Sequence, residues 1–267
     1  MDVCSNLGVS NPSCSSPTSR REDAALLRGE GWFGQDLTLP NTKHMAFVRS
    51  PQAHARLHHI DTAKARNLPG VRAILCAQDL GQHTMPAINP LLPGVTQPDF
   101  SLLAQDIVTH VGQPVAVVVA DTAHQARLAA SQVHLTLQAL PVTHDFDAQA
   151  PATVRTQHQH GTLPSTPPTA RVSLQVPRVT AMPMEPRSCS ARWTETAPHM
   201  TLWIGTQTPS RAQTDAAQVL GLSTDQVHVI CPHVGGAFGA RASVSPEDLL
   251  TALTAQHLRT TVRWAST

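Results

Sequence analysis

The sequence predicts a mixed α/β (α+β) fold, and three stretches of it carry that prediction. Residues 115–120 consist only of valine and alanine, which is typical of a strand buried on both faces of a sheet. A helix and a strand of alternating polarity, residues 134–140, follow directly, so the order is strand, helix, strand. A similar order recurs later, where a helix separates strands over residues 201–204 and 227–231.

The first predicted domain, residues 20–148, alternates short strands and helices. A short helix is expected over residues 62–67, and a turn at Leu68-Pro69-Gly70 closes it. Asp121 is the expected N-cap of a helix over residues 122–132, which would complete a βαβ-type unit. Apolar runs bounded by turn-forming residues predict three earlier strands, over residues 44–48, 55–60 and 71–76.

The second predicted domain, residues 171–267, follows a polar, proline-rich linker over residues 149–170. Residues 1–19 are rich in serine, asparagine and proline and contain few large apolar residues. A segment of that composition cannot bury enough apolar surface to fold, so we predict a disordered tail there. The sequence therefore divides into a tail, two folded domains and a linker.

Two helices of the second domain have clear end signals. Ser210 is the expected cap of the first helix, and Gly221 is expected to stop it. Ser245 is followed by a proline and, three residues on, by Asp248, which is the pattern of a capped helix start. A last strand, residues 261–264, lies near the end of the sequence, and we expect it to leave an uncovered sheet edge that promotes association.

Composition restricts the classes of partner. The 267 residues carry 19 basic and 18 acidic side chains, a net charge of +1, which argues against binding nucleic acid or a membrane surface by bulk charge. No apolar stretch has the length of a membrane span. The five cysteines are scattered and form no C-x-x-C pair, so neither an iron–sulfur nor a zinc framework is indicated. A reducing, cytoplasmic compartment is expected.

Histidines occur in two groups that could suggest a metal site. His54, His58 and His59 lie on or beside a predicted half-exposed strand, where no acidic partner is clearly placed to complete a site. His158 and His160 lie in the predicted linker, where histidines are usually solvated. We therefore predict no metal ligand in either group.

The stretch with the strongest binding signal is Gly235-Gly236-Ala237-Phe238-Gly239, which follows the apolar strand at residues 227–231. Three glycines within five residues permit positive φ and close approach of another group to the backbone. A strand that leads into such a loop directs its amides at one point, which suits an anionic or polar ligand. The pattern is neither the dinucleotide-binding G-x-G-x-x-G nor a Walker loop, and a simple tight turn remains an alternative.

Four motifs resemble those of molybdenum hydroxylase large subunits, the family of xanthine dehydrogenase, aldehyde oxidase and carbon monoxide dehydrogenase. Residues 235–241 resemble its G-G-x-F-G-x-K/R motif, and residues 47–55 resemble F-V-R-S-P-x-A-H-A. Residues 111–121 are similar to part of its α/β hammerhead domain, and residues 182–187 resemble its P-M-E-P-R segment. The resemblance implies a hammerhead domain followed by an incomplete molybdopterin-binding domain, the first third of such a subunit.

The resemblance implies molybdopterin, the molybdenum cofactor, as the cofactor, and it assigns residues to that cofactor. Gln207 matches a glutamine that is implied to hydrogen-bond the oxo group on molybdenum, and an amide suits this role because it donates without titrating. Because Gln207 ends one strand and the glycine loop follows the next, the two are expected to converge at one edge of a parallel sheet. The loop residues implied to meet the cofactor are Gly235, Gly236, Ala237, Phe238, Gly239 and Arg241.

No catalytic residue is implied within this sequence, because the family's catalytic glutamate belongs to a later region. Glu185 is the one acid within a matched motif of the second domain, and it does not correspond to that base. No cysteine or histidine is implied to bind the cofactor directly.

The resemblance implies a fragment or split large subunit of an enzyme that oxidises an aldehyde, an N-heterocycle or a similar small molecule, with water as the oxygen source. Its expected partners are the small-molecule substrate, iron–sulfur and FAD subunits, and a C-terminal large-subunit segment. Two alternatives stay open, a catalytically inactive truncated relict and an α/β binding module without molybdenum. We expect the chain alone to be inactive.

Overall fold

The computed structural model describes residues 20–85, 100–142, 158–162, 170–177, 179–196 and 199–266. The predicted tail at residues 1–19 and most of the predicted linker at residues 149–170 lie outside them. The chain divides into two compact units, residues 1–32 and residues 33–267. In the first unit, helix α1 (Asp23–Leu27) buries none of its side chains.

The second unit contains the other described elements. Its strands are β1 (Lys43–Arg49), β2 (Ala55–Asp61), β3 (Val71–Cys76), β4 (Ile107–Val108), β5 (Pro114–Ala120), β6 (His134–Ala139), β7 (Ser188–Trp193), β8 (Met200–Ile204), β9 (Val227–Ile230) and β10 (Thr261–Ala265). Its helices are α2 (Ala63–Arg66), α3 (Ala77–Leu80), α4 (Ala123–Ala130), α5 (Pro209–Leu220) and α6 (Pro246–Leu258). Every predicted strand and helix is present, and none of the described helices is both long and apolar enough to cross a membrane.

Strand β10 lies in the middle of a seven-stranded sheet with the order β3-β5-β1-β10-β7-β8-β9. It pairs with β1 in the parallel sense, with Val262 opposite Lys43, and with β7 in the antiparallel sense. Strands from both predicted domains therefore form one continuous sheet. The expectation of an uncovered edge at residues 261–264 is wrong, because Val262 is fully buried between two strands that come from distant parts of the sequence.

The predicted βαβ unit around α4 is not formed. Strand β5 is buried along its whole length between β3 and β1, as its valine-rich sequence predicts. The next strand, β6, pairs instead with β2 in a separate three-stranded sheet of order β4-β2-β6. The physical reason is polarity, since every residue of β6 is exposed or half-buried and the interior of the larger sheet is apolar.

The helix caps differ from the prediction at two of three positions. Thr122 rather than Asp121 caps α4, and Asp121 instead binds Arg72 and Lys43, whose hydrogen bonds hold the pKa of its carboxyl well below its usual range. Thr208 rather than Ser210 precedes α5, because proline at the next position is a favoured helix start. Ser245 caps α6 as predicted, and its Oγ accepts a hydrogen bond from the Asp248 amide at 3.2 Å.

Strand β7 has no clear sequence signal, and its small side chains explain both why it was missed and why it matters. Ser188, Cys189, Ser190 and Ala191 are all buried, and α6 packs directly against them. Small residues let a helix approach a sheet closely, but they lack the β-branched and aromatic character by which strands are usually recognised. This packing places the start of α6 beside the segment that leads into β7.

Replacing Ser245 with alanine should lower the free energy of unfolding by about 1 kcal/mol, because the first turn of α6 loses its cap. Ser210→Ala is the matched control, since Ser210 is exposed and lies inside the first turn of α5 without capping it. That variant should change stability by less than about 0.5 kcal/mol. Urea unfolding of both variants measures the difference, and equal losses would contradict the assigned caps.

Candidate functional site

The glycine loop and Gln207 meet at one edge of the seven-stranded sheet. Strands β8 and β9 are parallel neighbours, Gln207 follows β8, and the loop follows β9. The side-chain Oε1 of Gln207 accepts a hydrogen bond from the Gly239 backbone amide at 3.1 Å. The backbone amide of Gln207 donates to the Arg241 carbonyl at 3.0 Å. The expected convergence is present, and it leaves the NH₂ group of Gln207 available to another partner.

Glycine is required at two positions of this loop for different reasons. A Cβ atom at Gly235 would lie 2.5 Å from the Cβ atom of Glu185, so a larger residue would displace that side chain. Gly236 has a φ of +104°, which residues with a Cβ atom rarely adopt, and a Cβ atom there would lie 3.3 Å from the Cα atom of Pro183. The segment at residues 182–187 therefore packs directly against the glycine loop.

Glu185 is the main contact between that segment and the loop. Its Oε2 accepts a hydrogen bond from the Gly235 amide at 2.8 Å and pairs with Nη1 of Arg241 at 2.9 Å. Its Oε1 accepts from the Gly34 amide at 3.2 Å, and its backbone carbonyl accepts from Nη2 of Arg241. The side chains of Glu185 and Arg241 are 7% and 3% exposed, so this ion pair is shielded from water.

Arg187 forms a second ion pair at the other end of the loop. Its Nη1 lies 2.9 Å from Oδ2 of Asp248, at the start of α6, and its Nη2 donates to the carbonyl of Ala240. Burial raises the pKa of the Asp248 carboxyl, while Arg187 and the hydrogen bonds of Ser245 oppose that rise. Arg187 thus joins the glycine loop to α6, as Glu185 joins it to Arg241.

The end of β8 holds the outgoing part of the loop. Thr206 donates through its hydroxyl to the carbonyl of Arg241 at 3.1 Å, and Thr208 donates to the carbonyl of Ala242 at 3.0 Å. Cys231, which follows β9, donates through its thiol to the carbonyl of Thr206 at 3.3 Å. These hydrogen bonds join the residues that flank Gln207 to the end of β9 and to the segment that leaves the glycine loop.

The tip of the loop, in contrast, has unused binding capacity. Phe238 has a φ of +49°, and its side chain is 77% exposed, which is a rare combination for a large aromatic residue. The backbone amides of Gly236, Ala237 and Phe238 donate to no other described residue. Consecutive free amides and the NH₂ group of Gln207 are donors for an anionic or polar ligand.

All seven residues assigned from the resemblance occur in this one region, but they divide into two groups. Arg241 is buried and fully engaged by Glu185, so its side chain supports the loop from within. The other six are Gln207, Gly235, Gly236, Ala237, Phe238 and Gly239, which form the loop and its contact with β8. That these residues bind a cofactor stays a prediction.

Sequence reasoning missed the supporting roles of Glu185 and Arg187. Their only sequence signal was that an acidic and a basic residue occur together in one short proline-containing motif, Met-Glu-Pro-Arg. Among the described residues, no group of three or more His, Cys, Asp or Glu side chains could hold a metal ion. His58, one of the histidines considered from the sequence, lies 3.0 Å from Oε1 of Gln138.

Two family models match this chain. Residues 28–141 match the hammerhead domain of aldehyde oxidase and xanthine dehydrogenase, and residues 155–267 match the molybdopterin cofactor-binding domain. The glycine loop, Gln207 and Glu185 all lie in the second range.

Curated relatives and solved structures agree with these matches. The chain is 34% identical to the nicotine 6-hydroxylase large subunit of Paenarthrobacter nicotinovorans, over 92% of this chain and 32% of the relative. It is 28% identical to the carbon monoxide dehydrogenase large chain of Hydrogenophaga pseudoflava, over 91% of this chain and 34% of the relative. The crystal structure of quinoline 2-oxidoreductase from Pseudomonas putida 86 superimposes with a TM-score of 0.80 at 33% identity, over 93% and 34%. The chain spans about a third of the length of these relatives.

Arg241→Met should destabilise the chain by about 3–5 kcal/mol, because it leaves the Glu185 carboxylate buried without its cation. Arg259→Met is the matched control, since Arg259 pairs with Glu195 at 3.3 Å on an exposed surface and should have little effect. Urea unfolding measures both.

The double variant Glu185→Gln/Arg241→Met tests the cause of that loss. Because it removes both charges, it should be more stable than Arg241→Met alone. If the double variant is as unstable as the sum of the two single changes, the ion pair is not the interaction that holds the loop.

Proposed function

This chain belongs to the family of molybdenum hydroxylase large subunits, and on that premise we propose that its glycine loop and Gln207 form one side of a molybdopterin site. One observation carries the proposal. The side-chain NH₂ group of Gln207, the loop backbone amides that bond no described residue and the exposed Phe238 ring lie together where β8 and β9 end. Ligands of open α/β sheets bind at such strand ends.

The residues present fit that cofactor in three respects. The amides of Gly236, Ala237 and Phe238 are donors for its anionic or carbonyl oxygens. The NH₂ group of Gln207 is a neutral donor whose orientation is fixed by the bond from Gly239 to Oε1. The Phe238 ring is an apolar wall that excludes water when covered. When bound, the cofactor would supply the two-electron redox chemistry.

We assign to the complete enzyme the hydroxylation of a small organic molecule. A carbon–hydrogen bond of the substrate is replaced by a carbon–oxygen bond with oxygen from water, and two electrons and two protons leave. The electrons pass to iron–sulfur and FAD subunits. Glu185 is not assigned as the base of this reaction, because its carboxylate is buried and engaged by Arg241, Gly235 and Gly34.

Activity on this proposal requires a partner that completes the site. One open loop encloses little of a ligand, whereas binding pockets usually enclose most of a ligand's surface. Since the chain spans about a third of its relatives, we propose that a C-terminal large-subunit segment supplies the opposite side and the base. We also propose a cytoplasmic location, where the thiols of Cys76, Cys189 and Cys231 stay reduced.

The test is to co-express this chain with a complementary segment, defined as the nicotine 6-hydroxylase large subunit without the third that this chain matches. The chain alone should carry little molybdenum, and the pair should carry molybdenum together with hydroxylase activity. Gln207→Glu should lower kcat on the order of 100-fold, because a carboxylate keeps the acceptor for Gly239 but loses the donor. Mass-spectrometric metal content and steady-state kinetics provide the measurements.

Gln138→Glu makes the same chemical change on β6, in the other sheet, and should leave both readouts unchanged. Urea unfolding should show that Gln207→Glu folds normally. Stoichiometric molybdenum in the chain alone, or full activity of Gln207→Glu, would contradict the proposed half-site.

A further inference from the structure

The most exposed large apolar side chains described in the second unit lie in one stretch that precedes Glu185 in the sequence, and at the tip of the glycine loop. Among the described residues from 33 to 266, every large apolar side chain that is at least three-quarters exposed lies between Val172 and Met184 or is Phe238 itself. Soluble proteins rarely leave so many large apolar side chains in one stretch facing water unless the stretch binds something. These side chains are Val172, Leu174, Val176, Val179, Met182 and Met184.

The first part of this stretch has the sequence of a strand but pairs with none of the described strands. Val172, Leu174 and Val176 alternate with polar residues, which is the period of a half-buried strand, and they are 75 to 84% exposed. No backbone amide from residue 170 to 177 is hydrogen-bonded to another described residue. Alternating apolar side chains, on amides that bond no other described residue, suit a strand that pairs with another chain.

In the sequence, this segment precedes the residues that contact the glycine loop. Pro183 packs against Gly236, and Met184 immediately precedes Glu185, whose carboxylate binds the Gly235 amide. A partner that pairs with residues 172–176 would therefore bind a segment that precedes, in the sequence, the residues in contact with the glycine loop.

We propose that residues 171–177 are a docking strand for the complementary large-subunit segment, which pairs with their backbone and covers Val172, Leu174 and Val176. The proposal rests on the proposed function for the identity of the partner. Three observations favour that partner: the docking strand lies inside the range that matches the cofactor-binding domain, it precedes in the sequence the segment whose Glu185 binds the glycine loop, and the chain spans only about a third of its relatives. Pro177 ends the docking strand, because proline cannot donate to a sheet.

The test measures the affinity of the complementary segment for variants of the docking strand. Leu174→Asp should weaken binding by about tenfold or more, because a carboxylate would be buried against the partner. Ser173→Asp introduces the same charge one residue earlier, on the opposite face of the strand, and should change affinity little. Both variants should unfold at the same temperature as the unchanged chain, since both side chains are exposed in it.

Hydrogen exchange gives a second readout that does not depend on activity. The amides of residues 172–176 should exchange rapidly in the chain alone and slow markedly when the complementary segment is added. Equal effects of Leu174→Asp and Ser173→Asp, or no slowing of exchange, would overturn the docking strand. So would self-association of the chain alone that Leu174→Asp abolishes, because the occupant would then be a second copy.

The outcomes also separate this inference from the proposed function. A complex that forms, depends on Leu174 and carries no molybdenum would support the docking strand and contradict the cofactor site. A molybdenum-containing, active complex that is indifferent to Leu174→Asp would support the cofactor site and contradict the docking strand.

Discussion

The buried ion pair between Glu185 and Arg241 is the interaction on which the arrangement of the site depends. Glycine gives the loop its conformational freedom, and that freedom costs entropy when one conformation is selected. Glu185 makes the selection by binding the amide at the start of the loop and the guanidinium at its end. Because an unpaired charge at this depth is strongly unfavourable, any loop conformation that separates the two is disfavoured. The tip can then hold Phe238 at positive φ, since its two ends are fixed.

The shared sheet explains how two segments with separate sequence signatures form one structure. β10 is the last described strand in the sequence, yet it lies between β1 and β7. The Arg263 side chain on β10 donates to the carbonyls of Gln35 and Leu37, so the residues that precede β1 are held there as well. Gly34, which donates to Glu185, belongs to this same stretch. The position of the loop thus depends on contacts contributed by both domains.

Local chemistry predicted much of this structure, and its failures share a physical cause. The valines of β5 and Ser245 at the start of α6 were recognised because each signal lies within a few residues. The position of Gln207 beside the glycine loop was predicted because it follows from the order of parallel strands. The insertion of β10 and the partners of Glu185 depend on pairings across scores of residues, which no periodicity encodes. β7 was missed because its small residues suit a close helix contact rather than a strand propensity.

The polar groups of the site fall into two sets, those that hold the loop and those that are available to a ligand. On the supporting side, Glu185, Arg187 and the hydroxyls of Thr206 and Thr208 are all bonded within the chain. At the loop tip, amides, the Gln207 NH₂ group and an aromatic ring have no described partner. Residues 170–177 expose apolar side chains, and their amides bond no other described residue. Exposed backbone amides and a side-chain NH₂ group at one point are donors that an anionic or polar ligand can use. The contacts that hold the loop in place are therefore distinct from the groups that the proposed cofactor site would use.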